Sequence, residues 1–243
     1  MSRFFVPPEA VKGKSIIISG REAHHILDVM RLKIQDKVVT FDGTGKEYLG
    51  FIKEISRNSL TVEVNEVRAP SQKDILRITL LQALPKREKM DYIIEKSTEL
   101  GVGSIVPMIT DRTIPDWSEE KMRSQAERWR KIAREAAKQC GRLDIPAVSD
   151  VVKFTNAVRD SGNFDMRLIA LLNEETMPVR KAMSGFKSGW IAIAIGPEGD
   201  FTADEASAAI ESGFKAISLG PRVLKSDTAG LALISILNYE LSN

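Results

Sequence analysis

Six consecutive apolar residues at positions 190–195, WIAIAI, run straight into Gly196-Pro197-Glu198-Gly199. This junction constrains the chain more than any other stretch. A strand with no polar face has to be covered on both sides, as strands are inside a parallel sheet flanked by helices. Beyond the turn, Thr202 and Glu205 stand three apart. That is the spacing of a capping box, in which each side chain satisfies an orphan amide at a helix start. A strand, a tight turn and a helix are therefore predicted in succession.

The same alternation runs from residue 74 to the end. ILRITLLQAL leads to KREKMDYIIEKSTEL, which Gly101 is placed to stop as a C-terminal cap. SIVPMI, a long helix over residues 118–140, RLIALL, WIAIAI, AISL and a closing helix from about Asp227 follow. The expectation is an α/β fold with a mostly parallel sheet. Upstream, SIIIS, DKVVTFDG, EYLGFIKEIS and SLTVEVNEV are short apolar or alternating runs, parted by Asp42-Gly43 and Arg57-Asn58. Such runs predict a small β-barrel, with DGTGKEYLG as a hairpin. One helix interrupts it, REAHHILDVMRL, with Ile26, Val29 and Met30 expected on one face. APSQKD links the two patterns, so the domains are expected at residues 1–70 and 74–243.

Composition removes several classes of function. Net charge is only +2, so no global field names a partner. A single cysteine, Cys140, excludes an intrachain disulfide and a cysteine-rich zinc site, and fits a reducing cytoplasm. His24 and His25 are adjacent and cannot form a helical metal pair, so no metal is expected. No apolar run reaches bilayer-spanning length, and no membrane role is expected. Neither G-x-G-x-x-G after the first sheet strand nor a P-loop is present.

Ligands of open parallel sheets bind beyond the carboxyl ends of the strands. Three such ends carry unusual residues: Leu171-Leu172-Asn173, Gly196 to Gly199, and Leu219-Gly220-Pro221-Arg222. Glycine allows close backbone approach and proline stiffens the turn, so turns on successive strands could frame a main-chain pocket for a flat base. Charge is concentrated elsewhere. Residues 121–142 hold eight basic side chains against two acids, Glu127 and Glu135, and Arg130, Arg134 and Lys138 form a ridge at i, i+4, i+8. Ala126, Trp129, Ala133, Ala136 and Cys140 give that helix its expected inward face. A track for nucleic-acid phosphates is the expectation, extended by Lys86, Arg87 and Lys89 at the preceding strand-to-helix junction. The closing helix is apolar nearly all round and is expected to be buried, in the fold or in a dimer.

In order, RFFV, HHILDVMR, ALPKREKMDYIIEKSTELGV, RWRKIAREAAKQCGR, AIGPEGDF and LGPRVLKSDTAG resemble the bacterial small-subunit ribosomal RNA methyltransferases of the RsmE type, in the SPOUT superfamily. The resemblance covers essentially the whole chain. It implies a PUA-like β-barrel followed by an α/β domain threaded into a deep trefoil knot, a homodimer, and methylation of uridine N3 in 16S ribosomal RNA, free or in the assembled small subunit. It also implies S-adenosylmethionine held by Leu171, Leu172, Gly196, Pro197, Glu198, Gly199, Leu219, Gly220, Arg222, Leu224, Thr228 and Ala229. Bulk at Gly199 is expected to block that cradle. RNA contacts are expected from Arg3, His25, Arg31, Lys86, Lys89, Lys96, Arg112, Arg130, Arg134, Lys138 and Arg142. Catalytic roles fall to Arg222, Arg134, Glu135 or Glu198, because arginine can stabilise charge on the uracil oxygens while a carboxylate takes the N3 proton.

Three departures mark this chain. RVLKSDTA stands where the family often reads RILRTETA, which exchanges an arginine for Lys225 with loss of its bidentate geometry. Asp111-Arg112-Thr113 replaces ERS, and GPEGD replaces GPEGG, a change expected to lie outside the turn. The competing expectation is a non-catalytic RNA-binding protein that uses only the barrel and the basic helix.

Overall fold

A computed structural model describes residues 3–69, 77–86, 89–172 and 175–241. Positions 70–74 of the expected linker, together with Arg87 and Asn173, lie outside the described residues. Two compact units divide the chain: Met1–Gln72 with Ala137–Ile145, and Lys73–Ala136 with Pro146–Asn243. The first therefore contains a short late segment that a single cut near residue 70 does not anticipate.

The first unit carries β1 (Arg3–Phe5), β2 (Val11–Lys12), β3 (Ser15–Ser19), α1 (Gly20–His24), β4 (Lys37–Phe41), β5 (Glu47–Ser56) and β6 (Ser59–Arg68). Its sheet runs β1-β4-β5-β6-β3-β2, antiparallel except for β1 on β4. Register shifts bend β5 against β6 at Leu49/Gly50 and Ile52/Glu54. Gly50 is required there, because a Cβ at that position would lie 2.2 Å from the Glu63 carbonyl oxygen. Phe4, Ile16, Ile26, Ile52 and Leu60 fill the core.

The interrupting helix departs from its expected face. Past α1 the backbone widens into a π-type turn over His25–Val29, whose longer repeat rotates the following side chains. Ile26 stays buried, whereas Val29 is 60% and Met30 41% exposed.

The hairpin between β4 and β5 forms as expected and is tied by Asp42. That carboxylate accepts from the Thr44 amide at 2.8 Å, the Thr44 hydroxyl at 2.7 Å and the Tyr48 hydroxyl at 2.8 Å. Burial alone would raise the Asp42 pKa, but these donors outweigh it and hold the group below its usual value. Burial and the adjacent Asp42 charge push the Tyr48 phenol up to about 12.

The second unit carries β7 (Arg77–Ala83), α2 (Lys89–Glu99), β8 (Ser104–Ile109), α3 (Glu119–Cys140, up to Ala136), β9 (Ala147–Val148), β10 (Val152–Lys153) and α4 (Phe154–Arg159). It continues with β11 (Met166–Ala170), β12 (Met177–Pro178), α5 (Val179–Ala182), β13 (Trp190–Ile195), α6 (Ala203–Glu211), β14 (Lys215–Ser218) and α7 (Ser226–Leu241). Strand order is β10-β8-β7-β13-β11-β14-β12, with β9 beside β8, and every pairing is parallel.

The double coverage inferred from WIAIAI is present. Ile191, Ile193 and Ile195 join one core with Met90, Ile94 and Leu233, while Ala192 and Ala194 join the other with Phe154, Phe201 and Phe214. Small residues on one face and branched ones on the other explain the alternation inside an all-apolar run. Gly101 ends α2 at a φ of 90°, with the Val102 amide donating back to the Ser97 carbonyl at 3.0 Å. Cys140 is a correction: it is exposed, because it is the last residue of α3 and the chain turns away at Gly141, whose φ is 81°. Among the described residues no helix is long and apolar enough to cross a membrane.

The Asp42–Tyr48 pair sets one expectation for the first unit. A raised phenol pKa contributes stability that is complete below the ordinary tyrosine value near 10 and is lost as pH rises through about 12. Asp42, held low, contributes stability above the ordinary carboxylate value that disappears as pH falls through its depressed one. Tyr48→Phe is expected to delete the tyrosinate absorbance step near pH 12, followed while circular dichroism still reports the native fold. A step of unchanged size in the variant would contradict the assignment.

Candidate active site

β11, β13 and β14 place their carboxyl ends side by side, with β11 between the other two. The two glycine-proline turns are therefore not on adjacent strands, as expected from sequence, but flank a third strand end. A cavity of about 390 Å³ opens there. Ala170, Leu171 and Leu172 from β11 form one wall, and Ile195, Gly196, Pro197, Glu198 and Asp200 form the second. The third is the segment from Ser218 to Ser226, joined by Ala229 of α7.

Ten of the twelve expected donor-binding residues line this space: Leu171, Leu172, Gly196, Pro197, Glu198, Leu219, Gly220, Arg222, Leu224 and Ala229. Gly199 and Thr228 do not line it. A Cβ at Gly199 would meet only Arg112 side-chain carbons at 3.4 and 3.6 Å, so the expected obstruction falls elsewhere. Gly196 is the tighter position, since a Cβ there would lie 3.2 Å from the Phe201 ring and 3.3 Å from an Asp200 oxygen. Leu172 and Val223, both cavity-lining, are 62% and 75% exposed, leaving apolar surface open for a ligand.

A buried relay that the sequence reading missed sets the walls. Gln82, fully buried at the end of β7, donates its amide to Ser226 Oγ at 3.0 Å. Ser226 Oγ in turn donates to the Gly196 carbonyl at 2.6 Å. Three distant segments are thus joined through one hydroxyl. The available signal was a lone glutamine within the apolar run RITLLQAL.

Asp200 corrects a second reading, for it lies inside the turn. Its amide closes the turn onto the Pro197 carbonyl at 3.0 Å, and its φ is 60°. Its carboxylate accepts from the Leu172 amide at 3.0 Å and the Phe201 amide at 2.8 Å, joining the first two walls. The capping box forms as expected: Glu205 N–H donates to Thr202 Oγ1 at 3.2 Å, and Thr202 N–H donates to Glu205 Oε2 at 2.9 Å. Glu205 Oε1 also accepts the Asp111 amide at 2.9 Å, which brings Arg112 onto the Gly199 carbonyl at 2.6 Å. Arg112, expected on the RNA track, thus buttresses the turn from outside.

Glu198 accepts the Lys86 amide at 3.1 Å, and Lys89 Nζ lies 3.5 Å from both Glu198 and Asp227. One ammonium thereby meets carboxylates from the turn after β13 and from the start of α7. Arg134 and Glu135, on α3, do not line the cavity, and both have contacts of their own.

The expected phosphate track is more neutral than its own helix suggests. Arg123 pairs with Glu119, Arg128 with Asp91, Arg130 with Asp150 at 2.7 Å, Lys138 with Glu22 at 2.5 Å and Arg142 with Asp144 at 2.6 Å. At least five of the eight basic residues thus meet acids, three of which, Asp91, Asp150 and Glu22, come from distant segments. Arg3 pairs with Glu47 at 2.8 Å, and Lys96 with Glu95 and Glu99, both at 2.8 Å. His25 packs edge-on to Phe4, with ring centroids 5.6 Å apart, and Arg31 is exposed at a φ of 56°. Among the described residues no group of three or more His, Cys, Asp or Glu is placed to hold a metal.

An all-parallel sheet with a loop-built cavity, following a small β domain in the chain, is the architecture of a class. Residues 71–238 match the family described as RNA methyltransferase domain, and residues 18–65 match the one described as RNA methyltransferase PUA domain. The chain belongs to this family of RNA methyltransferases with a PUA domain.

Its relatives include the ribosomal RNA small subunit methyltransferases E of Rickettsia conorii and Bacillus subtilis. The former is 31% identical over 93% of this chain and 90% of its own, and the latter 29% over 99% and 97%. Among solved structures, a Legionella pneumophila protein in complex with bound cofactor SAM superposes with a TM-score of 0.84, 31% identity and coverage of 98% and 97%. The Neisseria gonorrhoeae ribosomal RNA small subunit methyltransferase E bound to S-adenosyl methionine gives 0.83, 29%, and coverage of 99% and 98%.

Ser226→Ala strands the buried Gly196 carbonyl and removes an acceptor from Gln82. A loss of roughly 1–3 kcal/mol in urea unfolding is expected, as for other buried polar groups left unpaired. Ser226→Thr, which keeps the hydroxyl, is expected to stay near the parent. Equal stability of the alanine variant would show that the relay does not hold the walls.

Proposed function

We propose that this chain transfers a methyl group from S-adenosylmethionine to N3 of a uridine in 16S ribosomal RNA, as a cytoplasmic homodimer. The cavity formed by three strand ends carries this reading, in a chain whose family relatives are small-subunit ribosomal RNA methyltransferases and include proteins solved with the donor. The trefoil knot belongs to the same reading. It is supported by β13 lying between β7 and the earlier strand β11, while α7 packs against α2, β7 and β13. The dimer is supported by α7, which buries Leu233, Ile234 and Leu237 yet leaves Ile236 and Tyr239 exposed.

The residues present suit the donor. Leu171, Leu172, Leu219, Leu224 and Ala229 supply apolar surface for the faces of an adenine. Backbone groups at Gly196 and Gly220 can meet its edge, and Gly220 reaches a φ of 116°, which favours glycine. Charged Glu198, Asp200, Arg222 and Lys225 on the walls suit the ammonium and carboxylate of a methionine moiety. When bound, the donor supplies a methyl group on a sulfonium, so the protein's share is alignment and exclusion of water.

Loss of the N3 proton spreads negative charge onto the uracil oxygens. Arg222, exposed on the cavity wall, is the fixed positive charge for that anion. Glu198 already accepts from the Lys86 amide and faces the Lys89 ammonium, and these contacts give it a positioning role on the wall. Thr228 and Gly199 stand outside the cavity lining, and the exposed ion pairs of α3 can exchange an acid for a phosphate at small cost.

Tritium from labelled S-adenosylmethionine is expected to enter small-subunit RNA, with the label mapped by mass spectrometry to N3 of a single uridine. Arg222→Ala is expected to lower kcat about a hundredfold. RNA binding without transfer would instead mark a non-catalytic RNA-binding protein.

A further inference from the structure

The second unit holds another cavity, of about 520 Å³, that the methylation reading does not use. Its lining combines three cations, Lys86, Lys121 and Arg128, with two indoles, Trp117 and Trp129. The carboxylate in the lining, Asp91, is spoken for: it accepts Trp129 Nε1 at 3.1 Å and pairs with the Arg128 guanidinium. Trp129 is only 1% exposed and serves as a floor. Trp117 is half-buried above it, with ring centroids 6.1 Å apart and planes inclined by 38°. Lys121 and Arg128 are exposed beside these rings.

Flat aromatic surface next to a cationic rim is the surface on which single-stranded nucleic acids settle. The base stacks on the ring, and the phosphate meets the cations. The volume is also within the range of small-ligand sites. Lys86 connects this cavity to the donor pocket, because the residue lines the one while its amide holds Glu198 on the wall of the other.

We propose that this cavity is a nucleotide subsite for the substrate RNA strand, holding a base outside the methylated uridine against Trp117 and its phosphate on Lys121 and Arg128. The proposal rests on the RNA-methylating reading and adds to it a second point at which the strand is gripped.

Tryptophan emission titrated with a short oligouridylate tests it. The parent is expected to be quenched on binding. Trp117→Ala and Lys121→Glu are each expected to weaken oligouridylate binding about tenfold and to raise KM for RNA, while calorimetric affinity for S-adenosylmethionine holds. Trp117→Phe, which keeps an aromatic face, is expected to retain most of the affinity. Circular dichroism and melting identify any variant that fails to fold, and the lysine variant alters only an exposed side chain. Parent-like binding and KM in both Trp117→Ala and Lys121→Glu would overturn the subsite. So would loss of binding in the lysine variant alone, since stacking on Trp117 would then be absent. A parent that is quenched by oligouridylate yet transfers no methyl to ribosomal RNA would instead overturn the proposed function and leave the subsite standing.

Discussion

The cavity at the three strand ends depends on a hydroxyl at Ser226. A parallel sheet delivers three loops to one edge, but beyond the last ladder pairing no regular hydrogen bonding fixes them. Bonds between segments far apart in sequence do so instead: Gln82 through Ser226 to Gly196, Asp200 to Leu172, Glu205 to Asp111, and Arg112 to Gly199. The first is buried at all three residues, where water cannot replace a lost partner and an orphaned group bears its full desolvation cost. Serine suffices at position 226 for this reason: the relay needs the hydroxyl and nothing beyond it.

Charge follows a different logic. Counted within α3 the helix is basic, yet Asp91, Asp150 and Glu22 come to it from elsewhere in the chain. Lys138 and Glu22, at 17% and 20% side-chain exposure, are a pair shielded on both sides, and the carboxylate keeps Lys138 from being a ready phosphate ligand. Arg130 and Arg123 are paired at exposed positions, where an ion pair is worth little and a phosphate can displace the acid. The two kinds of pair separate shielded cations from those that solvent and anions can still reach.

Much of the fold was legible because it rests on local signals. WIAIAI announced a doubly covered strand, Thr202 and Glu205 announced a cap, and Gly101 announced a helix end; each works within a few residues. The site was legible as loops but not as an assembly. Nothing in the sequence places β11 between β13 and β14, and Gln82 only acquires meaning once Ser226 stands against it. Val29 and Met30 were misplaced because a π-type turn breaks the 3.6-residue period on which the expectation relied. Cys140 fits the inward pattern of α3 but arrives just where the helix ends.

Position 200 shows how a side chain in a tight turn becomes part of the site. A left-handed backbone disfavours any residue with a Cβ by roughly 1–2 kcal/mol, although aspartate is among the side chains that tolerate it. Here Asp200 at a φ of 60° accepts two backbone amides, from Leu172 and Phe201, and the amides offset that cost. Glycine would relieve the strain but leave the Leu172 amide without this acceptor. The wall that a glycine would shape through its backbone alone is held in this chain by a side chain, so its geometry is tied to the β11 loop as well as to the turn.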